Sequence, residues 1–216
     1  MELFKTVREE ADAVQIIEKS RFIVHVKPVE SKTEADAFLA EIRAAYKAAT
    51  HNVPAFVIGD KFQIQWGSDD GEPQGTSGAP MVQMLVKEGI TNVAIVVTRY
   101  FGGIKLGTGG LVRAYTSSAQ LGLEAAGICR VMPIVKLTVS IDYTFLAKIQ
   151  NLSIKNLADD MDNETGFAIQ NIEYSDKVKM DVLVLPEHRN AVISTLENLT
   201  SGGIEVINEV QELNKI

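Results

Sequence analysis

Short β-branched runs and segments of helical period alternate along the whole chain. SRFIVHVK, residues 20–27, has the apolar density of a strand. SKTEADAFLAEIRAAYKAAT, residues 31–50, has helical spacing, with Ser31 or Thr33 as its cap and Phe38, Ile42 and Ala45 on the buried stripe. VPAFVIG and KFQIQWG predict two strands joined around Gly59-Asp60. A long polar loop, GSDDGEPQGTSGAP, follows over residues 67–80. PMVQMLVKEG predicts a helix, with Pro80 suited to its first turn and Gly89 to its end. NVAIVVTRY is a buried strand, and TGGLVRAYTSSAQLGLEAAG is a helix ending at Gly127.

Beyond residue 133 the pattern is simpler. PIVKLTVSID is a strand, YTFLAKIQNLSIKNLAD a helix with Phe145, Ile149 and Leu152 on one face, and FAIQNIEYS and VKMDVLVLP two strands. PEHRNAVISTLENLTSG is a helix opened by Pro186, and IEVINEVQEL a last strand. This βαββαβ order is that of a split-βαβ, ferredoxin-like domain. Ten of the sixteen glycines lie between Gly67 and Gly110, and glycine is sparse after Gly127. ICRVMPIV, around Pro133, reads as the junction between these textures. The predicted fold class is α+β in two domains, residues 1–132 and 133–216.

Composition narrows the function classes. With 46% hydrophobic and 23% charged residues the chain is that of an ordinary globular protein. MELFKTVREEADAVQ lacks the apolar run of a signal peptide, and no stretch approaches eighteen uninterrupted apolar residues. No membrane association is expected, and the location expected is cytoplasmic. The single cysteine, Cys129, excludes an internal disulfide and a cysteine-rich zinc site, and its apolar neighbours predict inert core. The net charge of −7 argues against nucleic-acid binding over the whole surface. It is unevenly shared: residues 1–133 carry 14 Lys and Arg against 15 Asp and Glu, residues 134–216 carry 7 against 13. An anion-binding surface therefore belongs to the first part, and a protein partner suits the acidic second part better than RNA does.

The segment that concentrates chemistry is VVTRYFGGIKLGTGGLVRAYT, residues 96–116. Five of its nine residues from Gly102 to Gly110 are glycine, and Arg99, Lys105 and Arg113 frame them without an intervening acid. A strand delivers the chain here, and Thr108–Gly110 should open the next helix, whose unpaired N–H groups and dipole favour anions. Arg99, Tyr100, Gly102, Gly103, Lys105, Gly107, Thr108, Gly109, Gly110 and Arg113 are accordingly the anion- or partner-binding candidates. Neither G-x-x-x-x-G-K-[ST] nor G-x-G-x-x-G is present, since Lys105 precedes Gly107 and Val112 stands at the last glycine position. The architectural alternative is close helix–sheet packing, for which Ala114, Ser118, Gly122 and Ala126 form a small-residue stripe.

Accessory candidates are His51, Asn52, Asp69, Asp70, Glu72 and Thr76. Asp69, Asp70 and Glu72 put three carboxylates within four residues, but they lack the alternating oxygen ligands of a calcium loop, and acids at a D-G turn more often cap it. No metal and no cofactor is predicted. His51 stands without a second histidine nearby and reads as a structural hydrogen-bonding residue ahead of a base or ligand. Ser77 lacks the surroundings of a nucleophile elbow. Trp66 and Tyr100 offer stacking faces, but aromatics make up only 6% of the chain, thin material for base stacking.

KSRFI, ATHNVPAFVIG, DDGEPQGTSGAPMVQML and VVTRYFGGIKLGTGGLVRAY, in this order, closely resemble the YigZ/IMPACT family over about residues 18–125. The remainder resembles the small ferredoxin-like domain of bacterial YigZ members, similar to a domain of elongation factor G. The resemblance implies, for the first domain, the α/β sandwich shared by a ribosomal-protein domain and the GHMP kinases. Family members often carry cysteine after the His-Asn pair, where this chain has Val53-Pro54, so a thiol belonging to any shared chemistry is missing here.

Eukaryotic IMPACT proteins are linked to translational control, opposing activation of an amino-acid-starvation kinase by competing for its activator. The resemblance thus implies a non-enzymatic binding protein that regulates translation or a stress response, with RNA, the ribosome or a ribosome-associated protein as partner. The alternative is an enzyme that holds a nucleotide or another small-molecule phosphate at the glycine-rich helix start, as the GHMP kinases do, with Asp69, Asp70 or Glu72 as base or metal ligand. A proline dipeptidase label attached to some bacterial members is not supported, because three scattered histidines make a poor metal cluster.

Overall fold

The computed structural model describes residues 3–216, and its contacts divide the chain into two compact units, Phe4–Cys129 and, with Leu3, Arg130–Ile216. Met1 and Glu2, at the head of the predicted first domain, lie outside the described residues.

The first unit runs β1 (Phe4–Val7), β2 (Ala11–Ile17), β3 (Ser20–Pro28), α1 (Lys32–Ala45), β4 (His51–Ile58), β5 (Ile64–Gly67), α2 (Gly78–Glu88), β6 (Val93–Tyr100) and α3 (Gly107–Ala126). Five strands form an antiparallel sheet ordered β2-β3-β6-β4-β5. Strand alternation decides which side chains meet which helices. Phe22, Val24 and Val26 on β3 and Val93, Ile95 and Val97 on β6 face α2 and α3. Phe56, Ile58, Ala94 and Val96 face the opposite way, under Phe38, Leu39 and Ile42 of α1. The small-residue stripe of α3 is buried throughout, and a Cβ on Gly122 would stand 2.6 Å from Val24 Cγ2, so close approach to β3 requires glycine there.

Three local expectations change. β1 and β2 are strands that the pattern reading leaves unassigned: β1 is only four residues long, and β2 is an edge strand whose alternation is half-buried at best. α1 stops at Ala45, which is exposed, and Tyr46 turns the chain away to place its ring 4.7 Å from that of His25. The hairpin around Gly59 uses a five-residue connection, since the pairing begins only at Ile58 and Ile64. As expected, the Ser31 side chain caps α1 by accepting from the Glu34 N–H, and Gly89 ends α2 in the left-handed conformation.

The second unit contains most of β7 (Ile128–Ile141), then α4 (Tyr143–Leu152), β8 (Ala168–Tyr174), β9 (Val178–Val184), α5 (Arg189–Leu199) and β10 (Glu205–Lys215). Its strands pair antiparallel in the order β10-β7-β9-β8, the order of a split βαβ. Ile149 of α4 and Val192 and Leu196 of α5 pack on Leu137, Val139, Met180 and Val182.

The junction expected around Pro133 falls inside a strand: the units divide between Cys129 and Arg130, and β7 passes straight through Pro133. Arg130 and Ile216 exchange both backbone hydrogen bonds, so by alternation Pro133, opposite Leu213, occupies a non-hydrogen-bonded pair with β10. Pairing with β9 starts only at Val135, so the missing N–H of Pro133 is not called upon. The predicted long helix after residue 143 ends at Leu152, where Ser153 turns extended. The chain beyond it places Leu157 against Met132, Ile134 and Leu183, a second small core on the other face of this sheet.

Candidate functional site

The site lies in the first unit, where one end of the sheet meets the start of α3. β6 sends Val93, Ile95 and Val97 toward the helices, and Arg99 continues that row. Its side chain is therefore directed inward: the residue is 5% exposed. Arg99 Nη1 donates to Glu72 Oε1 at 2.6 Å, and Nη2 donates to Ser20 Oγ at 3.2 Å. The guanidinium carbon lies 5.3 Å from the ring centre of Phe22 and 5.5 Å from that of Phe101. Arg99 Nε is buried without a hydrogen-bond partner.

Glu72 is brought here by the polar loop between β5 and α2. Its Oε1 also accepts from the Tyr115 hydroxyl at 2.7 Å and lies 3.8 Å from His51 Nε2. Burial first, and the neighbouring Glu72 carboxylate second, push the Tyr115 hydroxyl far above its ordinary range, so it stays protonated and donates. His51 Nδ1 is 2.7 Å from the Asp70 carbonyl oxygen; a carbonyl only accepts, so Nδ1 carries the hydrogen.

The loop carboxylates serve the loop itself. Asp69 accepts from the backbone N–H groups of Gly75, Ser77 and Gly78 and from Ser77 Oγ, thereby capping α2. Burial would raise its carboxyl, but these hydrogen bonds outweigh burial and hold it below the usual range. Asp70 accepts from Arg43 Nη2 and from the Asn52 N–H, both at 2.7 Å. Asn52 Oδ1 accepts from Thr98 Oγ1, and Thr76 Oγ1 donates to the Pro73 carbonyl. No group of three or more His, Cys, Asp or Glu side chains among the described residues could hold a metal ion.

The glycine segment is pinned at its beginning and open afterwards. The Phe101 N–H donates to Thr50 Oγ1 and the Gly102 N–H to Ser20 Oγ. A Cβ on Gly102 would stand 2.0 Å from the Lys19 carbonyl oxygen, so only glycine lets this segment cross the β2–β3 turn. Gly103 and Gly107 have φ of +86° and +69°. α3 opens at Gly107, one residue before Thr108, and its N-cap Leu106 makes no side-chain cap. A cavity of about 350 Å³ lies here, lined by Glu72, Pro73 and Arg99 together with residues of 101–111 that include Phe101, Lys105, Leu106 and Thr108. A second, of about 460 Å³, lies across Lys105 and Leu106 beside Arg113 and Ser117.

The structure thus redistributes the predicted set. Arg99 does not share an exposed basic surface with Lys105 and Arg113: it is buried and ion-paired, while those two are exposed. Tyr100 pairs with Arg21 across to β3 and makes no part of the cavity wall. Gly109 and Gly110 lie in the first turn of α3, where Arg113 Nη1 is 3.6 Å from the place of a Gly109 Cβ. His51 and Glu72 join the Arg99 cluster, whereas Asn52, Asp69, Asp70 and Thr76 brace the adjoining loop. Trp66 stacks on Phe56, and Cys129 is buried in contact with the Thr6 carbonyl. Val53, which follows His51 and Asn52, is fully buried core.

The pattern reading does not single out Tyr115 and Ser20. Tyr115 does leave a signal, a large polar-tipped residue directly after Ala114, where the small-residue stripe begins.

Comparison with known proteins places both units. The Impact N-terminal domain model matches residues 18–123, and a domain of unknown function (DUF1949) matches residues 139–202. Over 201 residues the chain is 40% identical to IMPACT family member YvyE of Bacillus subtilis (strain 168), covering 93% of this chain and 88% of that protein. It is 40% identical over 141 residues to IMPACT family member YigZ of Escherichia coli (strain K12), covering 64% and 69%. A crystal structure described as that of a hypothetical protein superposes with a TM-score of 0.57 at 32% identity, covering 95% of this chain and 97% of that one.

Proposed function

The chain belongs to the IMPACT family, and from that premise we propose that it is a non-enzymatic binding protein that regulates translation or a stress response by contacting a ribosome-associated protein through residues 101–106. The observation that carries this reading is the composition of that segment's surface. Phe101 and Ile104 are 48% and 38% exposed, and the exposed Lys105 follows Ile104. With Arg99 drawn inward and neutralised, residues 101–106 offer two exposed apolar side chains and one cation, Lys105, which suits a protein partner better than an RNA backbone.

The carboxylates that a phosphoryl-transfer enzyme would need are already engaged. Asp69 caps a helix, Asp70 pairs with Arg43, and Glu72 Oε1 receives both Arg99 and Tyr115. This supports a binding role over catalysis. Among the described residues no helix is long and apolar enough to cross a membrane.

Co-sedimentation with ribosomes from a cell extract, at low and moderate salt, tests the reading. Binding through a protein contact survives moderate salt, is lost in Ile104→Asp and is weakened only slightly by Lys105→Glu with Arg113→Glu. Steep salt dependence and loss in the charge-reversed protein would transfer the contact to RNA. No co-sedimentation at either salt would overturn the proposal.

A further inference from the structure

We propose that the free edge of β10 pairs antiparallel with the β10 edge of a second copy of this chain, about a two-fold axis at Val210, so that two second-unit sheets become one. This surface belongs to the other unit from residues 101–106 and does not rest on the loop contact proposed above.

β10 is an edge strand of 11 residues, paired on one side with β7. Arg130 and Ile216 form a hydrogen-bonded pair, so by alternation Asn214, Glu212, Val210 and Asn208 turn their backbone groups toward β7. Leu213, Gln211 and Glu209 turn theirs outward, and among the described residues no backbone group meets them there. Long edges are normally guarded by proline, by unpaired charge or by a cover. This one has no proline, and Val210 and Leu213 stand 40% and 56% exposed. Its two central acids are neutralised within the unit, Glu209 by Arg189 and Glu212 by Lys136. The one guard present is a bulge between Val206 and Asn208, which confines the regular edge to residues from Asn208 onward.

The order of side chains along β10 selects a second copy as the occupant. Outward backbone groups must meet outward groups, so the two-fold axis passes through a residue and not between two. An axis at Glu209 or Glu212 sets a carboxylate opposite its own copy, and one at Gln211 sets Val210 opposite Glu212 and Leu213 opposite Glu209. An axis at Leu213 sets Val210 opposite Ile216, whose side chain is buried in the small core with Met132 and Ile134 and cannot cover it. The axis at Val210 has none of these faults. It sets valine against valine, Glu209 opposite Gln211 and Asn208 opposite Glu212, so that each acid faces an amide able to donate to it. At either end Leu213 meets Ile207, which is 49% exposed beside the bulge.

Sedimentation velocity of the full chain over a concentration series tests the pairing. A reversible monomer–dimer equilibrium is expected, with a dissociation constant of about 1–100 µM, because a single strand pair lies at the small end of specific interfaces. Gln211→Pro removes only an outward N–H and spares the β7 ladder, so the variant should keep native hydrogen exchange in β7 and β9 and stay monomeric. Val210→Cys should form a disulfide-linked dimer on mild oxidation, since a non-hydrogen-bonded pair brings its own copy within bridging distance. Leu213→Cys should not, and the native Cys129 is buried and does not compete. A chain that is monomeric up to about 1 mM, a dimer undiminished by Gln211→Pro, or cross-linking as efficient at position 213 as at 210 would overturn the proposal. A monomeric chain whose Glu209 and Gln211 amides gain protection only in cell extract would give the edge to another protein, and would overturn it too.

Discussion

Both units lay helices on an antiparallel sheet, yet they treat charge differently. The first unit buries Glu72, Arg99 and His25 among its core residues. The second keeps its ion pairs, Lys136–Glu212 and Arg189–Glu209, about a third exposed, and the buried polar residues described in it are Ser140 and Thr200. An exposed pair adds little to stability, whereas a buried charge is tolerated only with partners in good geometry. Packing alone explains the second unit's sheet and helices. The first unit's cluster is a different matter, because Glu72, Arg99, Tyr115 and His51 converge at the end of the sheet where the cavity opens, whereas His25 meets Asp12 elsewhere.

That contrast breaks most sharply at Glu72. Glu72→Ala leaves the Arg99 guanidinium buried without its counter-charge and should destabilise the first unit by about 3–5 kcal/mol. The single tryptophan, Trp66, belongs to this unit, so its fluorescence in a denaturant titration follows the loss, while hydrogen exchange in β7 and β9 should stay unchanged. Equal loosening of both units would deny the contrast.

Gly102→Ala comes next. The added methyl collides with the Lys19 carbonyl, backbone against backbone, and the expected loss is about 1–3 kcal/mol with displacement of residues 101–106. Chemical-shift changes confined to those residues and the β2–β3 turn would verify the mechanism.

A smaller effect is expected from Asp69→Asn. The folded carboxyl is held below its unfolded value, so its contribution is complete above about pH 4 and is lost as pH falls through the folded value. The native protein should therefore lose stability as pH falls below about 4, and the Asn variant, at about 1 kcal/mol lower stability at neutral pH, should show a flatter acid limb.

Glu209→Gln sharpens the comparison from the other side. The hydrogen bond from Arg189 lowers the Glu209 carboxyl, the same sign as at Asp69, but the pair is exposed and screened. Less than about 1 kcal/mol should be lost, and that loss should fade in high salt.

Much of this architecture is legible from spacing. The apolar periods of residues 20–27 and 93–100 and of α3 place the strands and helix that build the site, because backbone geometry imposes those periods locally. Strand alternation even puts Arg99 in the row of Val93, Ile95 and Val97, although a charged residue at a strand's end carries no mark saying which side it serves. The edge strand β2 and the short β1 escape because weak burial leaves weak patterning. That the strand runs on through Pro133 is not legible, because whether a proline interrupts a strand depends on where the neighbouring strands begin to pair.

Spacing along the chain settles most of the α and β elements, the ferredoxin-like order of the second part, the small-residue stripe of α3 and the family resemblance. The fate of the charges is settled only by folding. Glu72 meets Arg99 from 27 positions away and Tyr115 from 43, because a loop folds back over the sheet's end. Local composition counts Arg99 as one of three basic residues around a glycine loop; long-range pairing makes it a buried, neutralised donor beneath that loop. Periodicity is a property of neighbours along the chain, and neutralisation is a property of neighbours in space.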